Sequence, residues 1–228
     1  MLERKSMRHL LEWKQTRQGA TALLIEGARR VGKSTLVEEF AKRHYRSYLL
    51  IDFARIPDEV ADLFRNLRTD LDKFFLYLSA YYRVTLHPRE SLIIFDEVQT
   101  FPLARAFVKY LVADGRYDYI ETGSLLSIRQ NVRDIVIPSE EETYRLNPLD
   151  FEEFLCATGN EQLVHLIGEA FQRKEALPDA LHRRASGLLR EYMLVGGMPR
   201  VTDVYATSHS FEKADGEKRR ILDLYRKD

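Results

Sequence analysis

The sequence predicts an α/β protein, with strand and helix candidates alternating over residues 1–147 and a small helical domain over residues 148–228. Three observations carry the prediction. A glycine-rich loop, Gly27-Ala28-Arg29-Arg30-Val31-Gly32-Lys33-Ser34, lies between a short apolar run and a segment of helical spacing. A second apolar run, Ser91-Leu92-Ile93-Ile94-Phe95, stops at two carboxylates, Asp96 and Glu97. Beyond about residue 148 the apolar periodicity is helical throughout.

In chain order, residues 2–18 read as a helix with Met7, Leu10 and Leu11 along one face. Thr21-Ala22-Leu23-Leu24-Ile25 reads as a buried strand, and Leu36, Val37, Phe40 and Ala41 mark the helix after the loop. Leu49-Leu50-Ile51-Asp52-Phe53 is the second strand candidate. Residues 58–66 and 70–83 have helical spacing; in the second, Phe74, Phe75, Leu78, Tyr81 and Tyr82 are expected to face a core. The strand ending at Asp96 precedes a helix around 102–113, and residues 117–124 form a strand that ends in Thr122-Gly123-Ser124. Residues 125–140 give mixed signals: Leu125, Leu126 and Ile128 suit a helical turn, and Ile135-Val136-Ile137-Pro138-Ser139 an excursion. Thr143-Tyr144-Arg145-Leu146 is taken as the last core strand. Helices are expected over 149–157, 160–174, 178–195 and 209–226, with Val195-Gly196-Gly197-Met198-Pro199-Arg200 as the break between the last two.

The loop fits the pattern G-x-x-x-x-G-K-[ST], and strand–loop–helix is the context this pattern needs. Gly27 and Gly32 remove the Cβ atoms that would obstruct a tight turn, so successive N–H groups can converge on one anion. The helix from Lys33 adds the positive end of its dipole. Lys33 suits the space between β- and γ-phosphates, the Ser34 hydroxyl is a hard ligand for Mg²⁺, and Thr35 is placed to support the α-phosphate. The nucleotide-binding set is therefore Gly27, Ala28, Arg29, Arg30, Val31, Gly32, Lys33, Ser34 and Thr35. Arg29 and Arg30 either lean over the phosphates or face solvent. An apolar strand that ends in two carboxylates is costly unless it delivers them to a site. Asp96 would hold the metal with Ser34, and Glu97 would polarise the attacking water. Gln99 is a further group that could face the γ-phosphate.

Composition narrows the remaining classes. Lysine plus arginine and aspartate plus glutamate both number 35, so the net charge carries no nucleic-acid footprint. Charge is uneven, with eleven Lys/Arg against five Asp/Glu in residues 1–50 and seven acids against Arg145 alone in residues 138–162. A single cysteine, Cys156, excludes an intrachain disulfide framework and a thiolate metal cluster. No apolar run approaches the length of a membrane span and the N-terminus carries no apolar signal core, so the reading is a cytoplasmic protein with no membrane partner.

With these residues in place, the chain resembles a large prokaryotic family of AAA-type P-loop ATPases related to the STAND class. The likeness rests on residues 27–34, Asp96-Glu97-Val98-Gln99, Thr122-Gly123-Ser124-Leu125-Leu126, Pro148-Leu149-Asp150-Phe151-Glu152-Glu153-Phe154 and Gly196-Gly197-Met198-Pro199. It implies a three-layer P-loop NTPase core on a five-stranded, mainly parallel sheet with the loop strand central, followed by a helical lid. In ATPases with a strand added between the two motif strands, its end carries a polar γ-phosphate sensor; Thr122 or Ser124 would fill that place. The lid's Gly-x-Pro implies a nucleotide contact from Pro199, with Gly197 and Met198 beside it. Relatives often continue into a nuclease-like C-terminal domain, so the chain is read as a truncated piece or a short version.

The activity implied is Mg²⁺-dependent ATP binding and hydrolysis, with Glu97, Lys33, Thr122 and Ser124 as the catalytic set, coupled to lid movement. The alternative is a slow STAND-like nucleotide switch with little turnover, acting with nucleic acid through a further domain. A homo-oligomer stays open, and Arg129, Arg133, Arg145 and Arg200 are all candidates for a finger acting on a neighbouring site.

Overall fold

The computed structural model describes residues 2–124 and 140–227, and the chain divides into two compact units: residues 6–146, and residues 1–5 together with 147–228. Residues 125–139 lie outside the described residues. So, therefore, do the helical turn and excursion expected there and the candidates Arg129 and Arg133.

The larger unit alternates strand and helix: α1 (Ser6–Arg17), β1 (Ala22–Gly27), α2 (Lys33–His44), β2 (Ser47–Asp52), α3 (Asp58–Asn66), α4 (Leu71–Tyr82), β3 (Ser91–Asp96), α5 (Pro102–Asp114), β4 (Asp118–Ser124) and β5 (Glu141–Leu146). All five strands are parallel, in the order β2-β3-β4-β1-β5. Helices on both faces explain why the strands read as continuous apolar runs. Alternate residues serve opposite sides of the sheet. Leu24, Ile93, Phe95 and Tyr119 join Phe64, Phe74 and Phe107 of α3, α4 and α5. Leu23, Ile25, Leu92, Ile94 and Ile120 join Leu10 and Trp13 of α1 and Val37 and Phe40 of α2. This is the three-layer α/β architecture that the sequence predicts.

Three local expectations are corrected. The loop strand β1 is interior, but the middle strand is β4, because strand order depends on long-range pairing that no local pattern encodes. Tyr81 is exposed rather than core-facing, since α4 buries only the face that carries Phe74, Phe75 and Leu78. Residues 1–5 belong with the helical unit: the Arg4 side chain donates to Glu153 Oε1 at 3.1 Å and to the Asn147 carbonyl at 2.6 Å, and the Lys5 N–H donates to Glu153 Oε1 at 2.8 Å.

The helical unit contains α6 (Phe151–Ala157), α7 (Glu161–Arg173), α8 (Asp179–Val195), α9 (Pro199–Ser208) and α10 (Phe211–Lys227). Its core gathers Phe154, Val195, Val201, Tyr205, Ala214 and Ile221. Asp150 and Glu153 form a reciprocal capping box at the start of α6. Helix α9 is one more than the sequence reading expects. Pro199, read as a break, sits at the first helical position, where its missing N–H is not needed. The two motif segments of this unit, 148–154 and 196–199, are tied together here. The Leu149 N–H donates to the Gly197 carbonyl at 2.7 Å, and the Tyr192 hydroxyl donates to the Leu149 carbonyl at 2.8 Å. A Cβ on Gly197 would stand 2.1 Å from the Leu149 carbonyl oxygen, so this close approach requires glycine.

Candidate active site

The C-terminal ends of β1, β3 and β4 converge, and the loop after β1 lies among them. Gly27 closes β1 with its Cα hydrogen so near β5 that an added Cβ would fall 2.5 Å from the Leu146 carbonyl oxygen. Val31 anchors the loop in the core with no exposed surface, while Ala28, Arg29 and Arg30 are exposed. Gly32 has φ +95°, a left-handed conformation that serves as the N-cap of α2. Arg30 is also left-handed at φ +64°, an unfavourable state for a residue with a side chain.

Lys33 is 95% buried in this turn, and its ammonium donates to the carbonyls of Gly27 at 3.2 Å and Ala28 at 3.1 Å. Burial lowers its pKa. The charges of Glu97 and Asp96 act in the opposite sense, and Arg29 adds to the lowering. Thr35 is exposed at the start of α2.

One residue along the helix, the Ser34 hydroxyl donates to Asp96 Oδ1 at 2.8 Å, joining α2 to the end of β3 across 62 residues of sequence. Thr122, fully buried in β4, donates its hydroxyl to the same oxygen. The Glu97 N–H in turn points at Thr122 Oγ1, at 3.4 Å. Thr122 is therefore engaged with the acidic strand. Ser124 closes β4 opposite Gly27 in the strand register, at the same end of the sheet.

Glu97 leaves the strand in a left-handed conformation, φ +56° and ψ +45°. Its carbonyl accepts from Thr100 N at 3.0 Å and Thr100 Oγ1 at 2.8 Å, and its carboxylate Oε2 accepts from the Gln99 amide. Gln99 thus lies on Glu97, where the sequence reading allowed a γ-phosphate contact. Left-handed backbone at a residue with a side chain persists where the surroundings over-determine it, and such residues cluster at active sites.

The donor set fits a divalent cation shared with a phosphate. Ser34 and Asp96 offer two hard oxygens side by side. Among the described residues, no group of three or more His, Cys, Asp or Glu could hold a metal by itself. That is the arrangement in which Mg²⁺ takes one or two protein ligands and completes its shell from water and phosphate oxygens. Pro199 lies in the helical unit, at the start of α9. Arg145 is an exposed residue of β5, and Arg200 pairs with Asp203 at 3.2 Å.

The sequence reading missed a buried charge cluster beneath the sheet. Arg105 of α5 donates to both Glu141 oxygens, at 3.2 and 2.7 Å, with both side chains almost wholly buried. Glu121 of β4 is fully buried beside this pair, and among the described residues no donor reaches either of its oxygens. Burial first, then the Glu141 charge, push the Glu121 carboxyl well above the ordinary range; Arg105 offsets only part of this. The available signal was a lone carboxylate inside the apolar run Tyr119-Ile120-Glu121.

A phosphate loop opening a helix beside a strand that ends in Asp-Glu, with a further strand between them, defines a nucleotide-binding P-loop ATPase fold. A model of the AAA domain matches residues 20–155, which is more than half of the chain, and the chain belongs to that family. The structure is similar to the Walker-type ATPase PABY2304 of Pyrococcus abyssi, at 17% identity and a TM-score of 0.54, covering 100% of this chain and 77% of that one. It is also similar to a STAND protein with a tetratricopeptide-repeat sensor from Pyrococcus horikoshii, at 16% identity and a TM-score of 0.50. That match covers 91% of this chain but only 30% of the STAND protein. No curated protein matches the chain. Among the described residues no helix is long and apolar enough to cross a membrane.

Proposed function

We propose that the chain is a Mg²⁺-dependent ATPase whose nucleotide state is coupled to the helical unit acting as a lid. The observation that carries this reading is the hydrogen bond between Ser34 and Asp96, which sets side by side the two oxygens that would bind the metal. Residues 27–35 bind the phosphates: main-chain N–H groups of the loop and the α2 N-terminus take the charge. Lys33 exchanges its two carbonyl acceptors for the β- and γ-phosphates. Ser34 and Asp96 would hold Mg²⁺, which when bound would neutralise charge on the phosphate oxygens.

Glu97 accepts the proton of the attacking water. The water oxygen forms a bond to the γ-phosphorus, the bridging P–O bond breaks, and its electron pair leaves with ADP. Thr122 acts by holding Asp96 and Glu97 in register, and Ser124, opposite Gly27, is the residue of the pair assigned to the γ-phosphate. Pro199 is assigned to the lid's nucleotide contact.

The test is calorimetric ATP binding together with phosphate release for three proteins. Wild type should bind Mg-ATP and turn it over. Lys33→Ala should lose binding, and Glu97→Gln should bind with turnover reduced to a small residual rate. Release at the wild-type rate by Glu97→Gln would refute the assignment of the base. Binding without release by the wild type would instead support a nucleotide switch.

A further inference from the structure

Glu97 is held at every polar group but one. Its N–H points at Thr122 Oγ1, its carbonyl accepts twice from Thr100, and Oε2 of its carboxylate accepts from the Gln99 amide. Among the described residues no hydrogen bond engages Oε1. The holding group is itself fixed: Val98, Gln99 and Thr100 form a single 3₁₀ turn, with Val98 fully buried and Gln99 7% exposed. A glutamate side chain has three rotatable bonds, and a general base must present one oxygen to a water within hydrogen-bond reach.

We propose that Gln99 is the positioning residue for Glu97: its amide pins one carboxylate oxygen so that the other is presented to the attacking water. This rests on the reading of Glu97 as the base. The chemistry requires a neutral donor at position 99. A carboxylate of the same size would repel Glu97, and an apolar side chain of the same length would fill the space but leave Glu97 free to rotate. Because Gln99 acts through Glu97, it changes the chemical step and leaves nucleotide affinity alone.

The experiment compares Gln99→Met, Gln99→Glu and Glu97→Gln, each alone, with Gln99→Met also placed in the Glu97→Gln background. Turnover is measured under single-turnover conditions and ATP affinity by calorimetry. Met and Glu at position 99 should each lower kcat by about ten- to a hundredfold, the range for a displaced catalytic group, with ATP affinity within about twofold of wild type. In the Glu97→Gln background, Gln99→Met should cause no further loss, because the group it positions is gone. Should Gln99→Met fail to fold, Gln99→Glu, isosteric and polar, decides alone. Wild-type turnover by the position-99 variants with Glu97→Gln inactive overturns the positioning role and leaves the base intact. An equal further loss in the Glu97→Gln background also overturns it, since that marks a packing role. Wild-type turnover by Glu97→Gln removes the base and the positioning role together.

Discussion

Replacing Thr122 by Val tests whether its hydroxyl belongs to the fold of the site or to a bound phosphate. The substitution keeps the shape of a fully buried side chain and deletes one oxygen. That oxygen donates to the Asp96 carboxylate, a charge-assisted bond, and is the acceptor that the Glu97 N–H points at, 3.4 Å away. Hydrogen bonds to charged groups contribute about 1.5–3 kcal/mol, and the long contact from Glu97 adds little. A buried valine methyl offsets part of the loss, roughly 0.8 kcal/mol for one carbon. The net expectation is a destabilisation of about 1–2 kcal/mol in the absence of any nucleotide. Urea unfolding of nucleotide-free protein reads it as a lower midpoint with an unchanged slope. Thr122→Ser, which keeps the oxygen, should lose only the packing of one methyl group and retain turnover. A Thr122→Val protein as stable as wild type without nucleotide, yet deficient in hydrolysis, would refute this account and return Thr122 to the role of a phosphate sensor.

Two further outcomes follow from the rest of the fold. Because burial raises the folded-state pKa of Glu121, the folded protein holds a proton that the unfolded chain releases once pH exceeds its ordinary carboxyl range; this contribution is complete at acid pH and is lost as pH rises toward the folded value. Stability should therefore fall with pH by up to about 1.4 kcal/mol per unit from this group, and Glu121→Gln should flatten that slope above the ordinary carboxyl range in denaturant titrations; an unchanged slope would refute it. Gly197→Ala should destabilise the helical unit by about 1–3 kcal/mol, as strain and the loss of a backbone bond, because its Cβ would stand 2.1 Å from the Leu149 oxygen. A thermal midpoint equal to wild type would show that the two segments can separate freely.

The strands were legible because a parallel sheet covered on both faces demands unbroken apolar runs, as in Ala22, Leu23, Leu24 and Ile25, all buried. The loop was legible for the same kind of reason: Gly27 and Gly32 occupy positions where a Cβ would collide or the backbone is left-handed. Edge strand β5 was less so. Its acids Glu141 and Glu142 fall in the acid-rich stretch 138–162, yet Glu141 is buried on Arg105, a partner 36 residues away that no spacing rule connects to it. Helix α9 was hidden by reading Pro199 as a stop, when the same fixed φ also suits a start.

Strand order is the step that local patterns could not supply, and it is the step that decides Thr122. Because β4 lies between the loop strand and the acidic strand, the end of β4 lies directly alongside that of β3, with Phe95 opposite Glu121 in the register. A hydroxyl one residue further on therefore meets the Asp96 carboxylate, and a carboxylate oxygen is a strong acceptor. Ser124, two residues further along and level with Gly27, has no such neighbour across the sheet on the β3 side, where the register ends at Glu121. The two small polar residues at the end of one strand thus have different surroundings by position alone: Thr122 donates to the Asp96 carboxylate, and Ser124 stands level with Gly27 of the phosphate loop.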